Sequence, residues 1–214
     1  MDQRRILIAL LAATAIVLAW SGIAPHDRFT WVLEVFPVVL AVPLLWATYG
    51  RFPFTTLVYI LIALHALILM VGGHYTYALV PLGEWARAAF GFSRNHFDRL
   101  GHLAQGFVPA MIAREVLLRR TPPRTRGWLF TQVTAICLAI SALYELLEWG
   151  VAEATGSAAD AFLGTQGDYF DTQKDMALCL AGAVVAQLLL GRLHDRQLAQ
   201  LPPENFFRGR ELLS

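Results

Sequence analysis

The sequence predicts an all-α fold, a polytopic membrane helical bundle of about six transmembrane helices with the N- and C-termini cytoplasmic. Three observations carry that prediction. Of the 214 residues, 57% are hydrophobic and only 15% are charged, where a soluble domain carries about 25% charged residues. The uncharged residues gather into six runs, near 5–22, 29–49, 55–73, 98–118, 128–149 and 174–192. Each approaches the roughly 20 apolar residues that a bilayer crossing needs, and inside the hydrocarbon a single crossing segment satisfies its own backbone only as a helix. Arginine is also spread unevenly over the connecting segments, as the positive-inside rule requires.

The first run follows Arg4 and Arg5, a pattern shared by secretory signal peptides and signal anchors. It is read as an anchor that stays in place as the first span. The second run carries Glu34 less than two turns from its start, then Pro37 and Pro43, which should kink it. His65 lies in the middle of the third run and, like Gln105 and Gln132 in later runs, is expected to make one interhelical hydrogen bond. Between the third and fourth runs, Leu82, Trp85, Ala86, Ala89 and Phe90 share one helical face, the spacing of a short helix lying in the membrane interface. Arg114 lies in the last turns of the fourth run and should snorkel inward. The loop after it, with Arg119, Arg120, Arg124 and Arg126 broken by Pro122 and Pro123, reads as a topology determinant. Segment 150–173, with Gly150, Gly156, Gly164 and Gly167, reads as a cap or re-entrant stretch over the outer face.

These elements make one transmembrane domain over 1–192 and a cytoplasmic tail over 193–214. With the N-terminus inside, Arg4, Arg5, Arg51, Arg119, Arg120, Arg124, Arg126, Arg192, Arg196, Arg208 and Arg210 fall on the cytoplasmic side. Only Arg28, Arg87, Arg94, Arg99 and Lys174 fall outside. The net charge of +1 gives no field that would attract nucleic acid, so the expected partner is membrane lipid. Cys137 and Cys179 both lie in apolar runs, where a thiol acts as a small packing group.

The polar residues concentrate at one level. His74 closes the third run; His96, Asp98, Arg99 and His102 open the fourth; Glu145 and Glu148 close the fifth; Asp168, Asp171, Lys174 and Asp175 open the sixth. On this topology all four groups reach the outer face. Asp98 and His102 are four residues apart and Glu145 and Glu148 three apart, so each pair shares a helix face. Asp168, Asp171 and Asp175 would form a stripe if the sixth helix begins that early. Acids at a helix N-terminus suit its dipole, but one would suffice. Ionisable groups at membrane depth are costly and point to function, and so many carboxylates need a balancing positive charge.

A divalent metal answers that need, since bundles build such sites from inward-facing Glu, Asp and His. The candidate ligands are His74, His96, Asp98, His102, Glu145, Asp168, Asp171 and Asp175. The histidines put Zn ahead of Fe, Mn or Mg. A bound ion would activate water, with Glu145 or Glu148 as general base, and Arg99 and Lys174 would hold an anionic group such as phosphate.

The segments His74-Tyr75, 95–102, 144–149 and Gln166-Gly167-Asp168, with Asp171, Asp175 and Met176 following, resemble the YjdF-like bacterial inner-membrane family. That family has no assigned biochemical function, so the resemblance implies a location, the bacterial cytoplasmic membrane, more than a chemistry. Asp98, Arg99, His102, Glu145, Asp171 and Asp175 are also similar, by short motifs only, to VanZ-like membrane proteins, which are associated with glycopeptide resistance.

Three readings of function remain open at this stage. The first is a metal-dependent hydrolase or transferase at the outer leaflet, acting on a lipid-linked or anionic small molecule. The second is a proton- or ion-coupled transporter; carrier sites usually lie at the midplane, however, and no inverted repeat is visible. The third is a non-enzymatic scaffold locked by its polar cluster. The oligomeric state is open in all three.

Overall fold

In the computed structural model, residues 2–121, 123–156, 160–163 and 165–202 are described. Pro122, Gly164 and the tail from 203 onward, with Arg208 and Arg210, lie outside them. The described residues form helices α1 (Gln3–Ser21), α2 (Arg28–Tyr49), α3 (Thr56–Tyr75), α4 (Pro81–Phe90), α5 (Phe97–Arg120), α6 (Arg126–Thr155), α7 (Asp160–Leu163) and α8 (Asp171–Leu198). None of them is in a strand. Helices α1, α2, α3, α6 and α8 are long and apolar enough to cross a membrane. The sixth long helix, α5, matches them in length but is more polar. It carries Asp98, Arg99, His102, Gln105, Arg114, Glu115, Arg119 and Arg120, and it packs against α3, α6 and α8.

Polar side chains start several of these helices by accepting otherwise unpaired backbone N–H groups. Asp2 accepts from Arg4 N at 3.3 Å, Asp27 from Thr30 N at 2.7 Å and Thr125 from Trp128 N at 3.1 Å. The bond to the Thr30 backbone holds the Asp27 carboxyl below its usual range. Pro37 and Pro43 sit inside α2 without ending it. The apolar side chains that circle the bundle, such as Phe36, Trp46, Leu143, Leu188 and Leu189, are exposed and face the lipid. Lipid is as apolar as they are, so helix association rests on close packing and hydrogen bonds.

The closest packing is between α5 and α8. A Cβ added at Gly106 would run into the Cys179 carbonyl of α8, and one at Gly182 into the Leu103 carbonyl of α5. Val108, Ala110, Met111, Cys137, Cys179, Ala183 and Ala186 continue this contact as the main core. Both helices begin at the same end of the bundle, so the seam brings the N-terminal turn of α5 beside that of α8. The expected packing role of the two thiols matches their complete burial.

The opposite end holds a second polar cluster that the sequence reading did not single out. Glu115, Arg119 and His194 are each 0% exposed. Glu115 accepts from Thr55 N at 3.0 Å, Thr55 Oγ1 at 2.8 Å and Arg119 at 2.7 Å. His194 Nε2 lies 2.9 Å from Glu115 Oε2, and Arg114 approaches its Nδ1 at 3.0 Å. Arginine only donates, so Nδ1 accepts and the proton of the ring sits on Nε2, toward Glu115. Arg114 also pairs with Asp195 at 2.7 Å. Arg119 is therefore not a solvated loop cation. It donates to the Pro53 carbonyl at 2.7 Å and stacks on Phe52. At this same end Gln3 donates to the Phe54 carbonyl at 3.0 Å and Gln197 accepts from Leu57 N at 2.9 Å, so the start of α1 and the end of α8 lie together.

Two boundaries differ from the sequence expectation. Helix α6 continues to Thr155, through the start of the expected outer cap, and α8 continues to Leu198, into the expected tail. The last turns of α8 pack onto neighbouring structure through buried His194 and Leu198, which hydropathy alone does not register, while the last turn of α6 is exposed.

Candidate functional site

The site end is built by the first turns of α5 and α8, the last turns of α6, and the loops that precede α5 and α8. Asp98 and His102 project from α5, Asp171 and Asp175 from α8, and Glu145 and Glu148 from α6. His102 Nε2 lies 3.5 Å from Asp98 Oδ1 and 3.9 Å from Asp175 Oδ2, and its Nδ1 lies 3.9 Å from Glu145 Oε1. One ligand atom from each of Asp98, His102 and Asp175 falls within 4.8 Å of the others. The amide oxygen of Gln105 lies 3.2 Å from His102 Nδ1. An amide oxygen only accepts, so Nδ1 carries a proton and Nε2 is the ring atom turned toward the two aspartates.

Two buried oxygens here have no hydrogen-bond partner among the described residues, Asp175 Oδ1 and Glu145 Oε1. Asp175 is 3% exposed and Glu145 8%. A buried polar atom without a partner is costly, and in native structures it calls for an explanation such as a bound ion.

Above this centre lies a layer of ion pairs that the sequence reading assigned differently. Asp168 is not on the α8 stripe, because the chain turns through left-handed Gln166 and Gly167 and α8 starts only at Asp171. The Asp168 carboxylate meets Lys174 Nζ at 2.6 Å and Arg99 at 2.8 Å, and Phe170 N donates to it at 3.2 Å. The Lys174 bond, the Phe170 amide and the charge of Arg99 hold its carboxyl below the usual range. Arg94, counted from sequence only as an outer charge, is buried and pairs with Asp171, and it lies 3.7 Å from Asp168 and 3.8 Å from Asp98. Asn95 bolts this loop to α4, donating to the Val80 carbonyl at 3.1 Å and to Glu84 at 3.3 Å.

The remaining predicted ligands stand apart. His74 Nδ1 contacts the Ser21 carbonyl at 2.9 Å and its ring packs on Trp20 and Tyr75, so it ties α1 to α3. His96 packs edge-on to Phe92. Burial, then the charges of Arg99 and Arg94, push its imidazole toward the neutral form. Sequence reasoning gave no role to Tyr77 and placed Glu34 only as a residue that could reach the same cavity from behind. Glu34 is 4% exposed, lies 3.5 Å from the Tyr144 hydroxyl and also takes a bond from Tyr77. Thr76 and Tyr77 both have positive φ, 55° and 51°, and Tyr77 is inserted against Gly72 and Gly101. Left-handed non-glycine residues cost about 1–2 kcal/mol each. The strain is held in place by the buried Tyr77.

Helix α4 forms as the spacing predicts, with Leu82, Trp85 and Phe90 exposed along it.

The family to which this arrangement belongs is recognisable. Residues 6–196 match the profile of DUF2238, described as "Predicted membrane protein (DUF2238)". The chain is 52% identical over 183 residues to the "Inner membrane protein YjdF" of Escherichia coli (strain K12), covering 86% of this chain and 88% of that protein. No solved structure matches it. With five apolar spans, a polar sixth helix and this relative, the chain is a multi-pass inner-membrane protein, and it belongs to the DUF2238 family of membrane proteins.

Proposed function

We propose that this protein is a divalent-metal-dependent membrane enzyme whose centre is Asp98, His102 and Asp175, with Glu145 beside them, acting on a lipid-linked or otherwise phosphorylated substrate. The observation that carries this reading is the convergence of those groups around unpartnered, buried Asp175 Oδ1 and Glu145 Oε1. The fit is a good one. The donors come from three helices, and the Nδ1–H of His102 points at Gln105, leaving Nε2 for the ion, as in ligating histidines. With one imidazole among several carboxylates, Mn or Fe fits at least as well as the Zn suggested by counting histidines.

A bound divalent ion would supply Lewis acidity and lower the pKa of a water. The chain's own residues do the rest. Gln105 fixes the ring of His102, the α5/α8 seam fixes the spacing of Asp98 and Asp175, and Glu148, which is within electrostatic range of His102 and Glu145, would be the group beside the ion that exchanges a proton with the reactants. On this reading the site end of the bundle faces away from the cytoplasm, at the depth of the lipid headgroups, and the bias of arginine over the connecting segments supports it.

The transport reading has less support. Between His102 and His194 the α5/α8 contact is filled by Val108, Ala110, Met111, Cys179, Ala183 and Ala186, so among the described residues the two polar ends are separated by an apolar layer.

The test is elemental analysis of the purified full chain against His102→Ala and Asp175→Asn variants. Near-stoichiometric metal that is lost in both folded variants is expected. The same low content in wild type and variants, after reconstitution with Mn, Fe and Zn in turn, would overturn the reading.

A further inference from the structure

Three cations converge on one carboxylate at the rim of the site. The carboxylate of Asp168 meets Lys174 Nζ at 2.6 Å, Arg99 at 2.8 Å and Arg94 at 3.7 Å. It is delivered by a loop, and the left-handed residues Gln166 and Gly167 (φ 47° and 84°) set the turn that carries it there. The cations come from elsewhere, Arg94 from the loop before α5, Arg99 from α5 and Lys174 from α8.

The arrangement is larger than its occupant. A carboxylate offers two oxygens, and the Asp168 pair is used by Lys174, Arg99 and the Phe170 amide. Arg99 Nε remains buried with no partner among the described residues. Arginine presents its donors as a fork suited to phosphate. A phosphate monoester brings three terminal oxygens and a charge near −2, against the single charge of Asp168.

We propose that Arg94, Arg99 and Lys174 form a binding site for a phosphate monoester, and that Asp168 is a built-in plug that occupies it when the ligand is absent. The site stands on its own geometry. Its use in a reaction rests on the metal-centre reading, to which it is joined by Arg94, 3.8 Å from Asp98, and by Asp98, 3.5 Å from His102. A phosphate held on this rim lies next to the group of acids that would hold the ion. The depressed carboxyl of Asp168 keeps the plug anionic through the physiological range. The same phosphate chemistry can come from a free phosphate or from the headgroup of an anionic lipid.

Displacing a plug has a sign that a plain salt bridge lacks. If the open state is populated at about 0.1–10%, apparent affinity is reduced by that fraction. Removing the plug charge therefore raises affinity by about 10- to 1,000-fold. The experiment uses the full chain in phosphatidylcholine nanodiscs with EDTA present, so that a failure of the metal reading leaves it untouched. Inorganic phosphate is titrated onto wild type, Asp168→Asn, Arg99→Gln and the Asp168→Asn/Arg99→Gln double variant, and binding is read by calorimetry. A parallel series replaces part of the phosphatidylcholine with phosphatidic acid, read by ³¹P NMR of the headgroup. The expected result is at least a tenfold tighter response in Asp168→Asn, abolished in the double variant. A gain in the first series identifies a free phosphate ligand, and a gain in the second alone identifies a lipid headgroup. No gain in either overturns the proposal. Should Asp168→Asn not fold, wild type against Arg99→Gln decides, and equal phosphate responses in those two overturn it.

Discussion

Replacing Gly182 by alanine tests the seam that sets the site. The new Cβ would press on the Leu103 carbonyl and sit 2.9 Å from Phe107 N. Both are α5 backbone, so no side chain can rotate away. Restoring the Phe107 contact alone to about 3.5 Å moves the helices apart by roughly 0.6 Å, and the carbonyl requires more. Overpacking of this kind costs about 1–3 kcal/mol, while alanine gains about 0.8–1.0 kcal/mol over glycine in helix propensity. Gly191, on the same helix, has nothing within 4 Å of its added Cβ and receives only the propensity gain. The propensity contributions cancel between the two variants, so their difference isolates the steric effect, about 1–3 kcal/mol. Equilibrium unfolding in mixed micelles titrated with SDS measures it. Gly191→Ala should match or exceed wild type, whereas Gly182→Ala should fall below it; on the metal-centre reading the first also keeps bound metal and the second loses it as Asp175 moves from His102. Equal stabilities within about 0.5 kcal/mol would refute the close-contact argument.

Three further outcomes follow from named contacts. Gln105→Leu removes the acceptor that orients His102, and metal affinity measured by competition with a chelator should fall by about 10- to 100-fold with the fold retained. Glu115→Ala leaves Arg119 and the Glu115-facing N–H of His194 buried without their partner and should destabilise by about 3–5 kcal/mol, read by the same SDS titration. The Asp168 carboxyl is lowered in the fold, so its contribution is complete above the unfolded aspartate value of about 3.9. It is lost as pH falls through the lowered native value. Hydrogen exchange at 165–170 should therefore accelerate, after correction for intrinsic rates, only on strong acidification and not between neutral pH and pH 5.

The spans were legible because hydrocarbon imposes length and composition together, and the same constraint made α5 the exception. Its polar residues are tolerated because α3, α6 and α8 surround it, a tertiary fact. The convergence of Asp98, His102, Glu145 and Asp175 was readable from helical spacing and topology, since residues four apart on a helix must share a face. Arg94 and Asn95 were missed because they lie in a loop, where no periodicity reports direction. Asp168 was misplaced because the start of α8 depends on the turn at Gln166 and Gly167. Tyr77 carries no sequence signal at all. Its inward direction comes from two consecutive left-handed residues, a conformation that Thr and Tyr do not advertise. Glu115 and His194 escaped notice for another reason: each looks like an ordinary polar residue near a helix end until packing buries it.

The two polar ends of the bundle use the same chemistry, and their difference argues for a function at only one of them. At the far end, Glu115 takes hydrogen bonds on both oxygens, from Thr55, Arg119 and His194. His194 uses both ring nitrogens, and Arg114 spans to Asp195. That is what a buried network must look like if its purpose is to hold helices together, because each open valence inside a membrane is a direct loss. At the site end the ion pairs Arg94–Asp171, Arg99–Asp168 and Lys174–Asp168 account for the available arginine and lysine. Glu145, Glu148, Asp175 and Glu34 are left around a single imidazole, which they share with Asp98, itself 3.8 Å from Arg94. On α5 and α8 at the far end, Glu115 and His194 have every side-chain polar atom engaged, whereas one core layer away Asp175 Oδ1 and Glu145 Oε1 have no hydrogen-bond partner among the described residues. On the metal-centre reading, that shortfall is room for a positive charge that the chain itself does not supply.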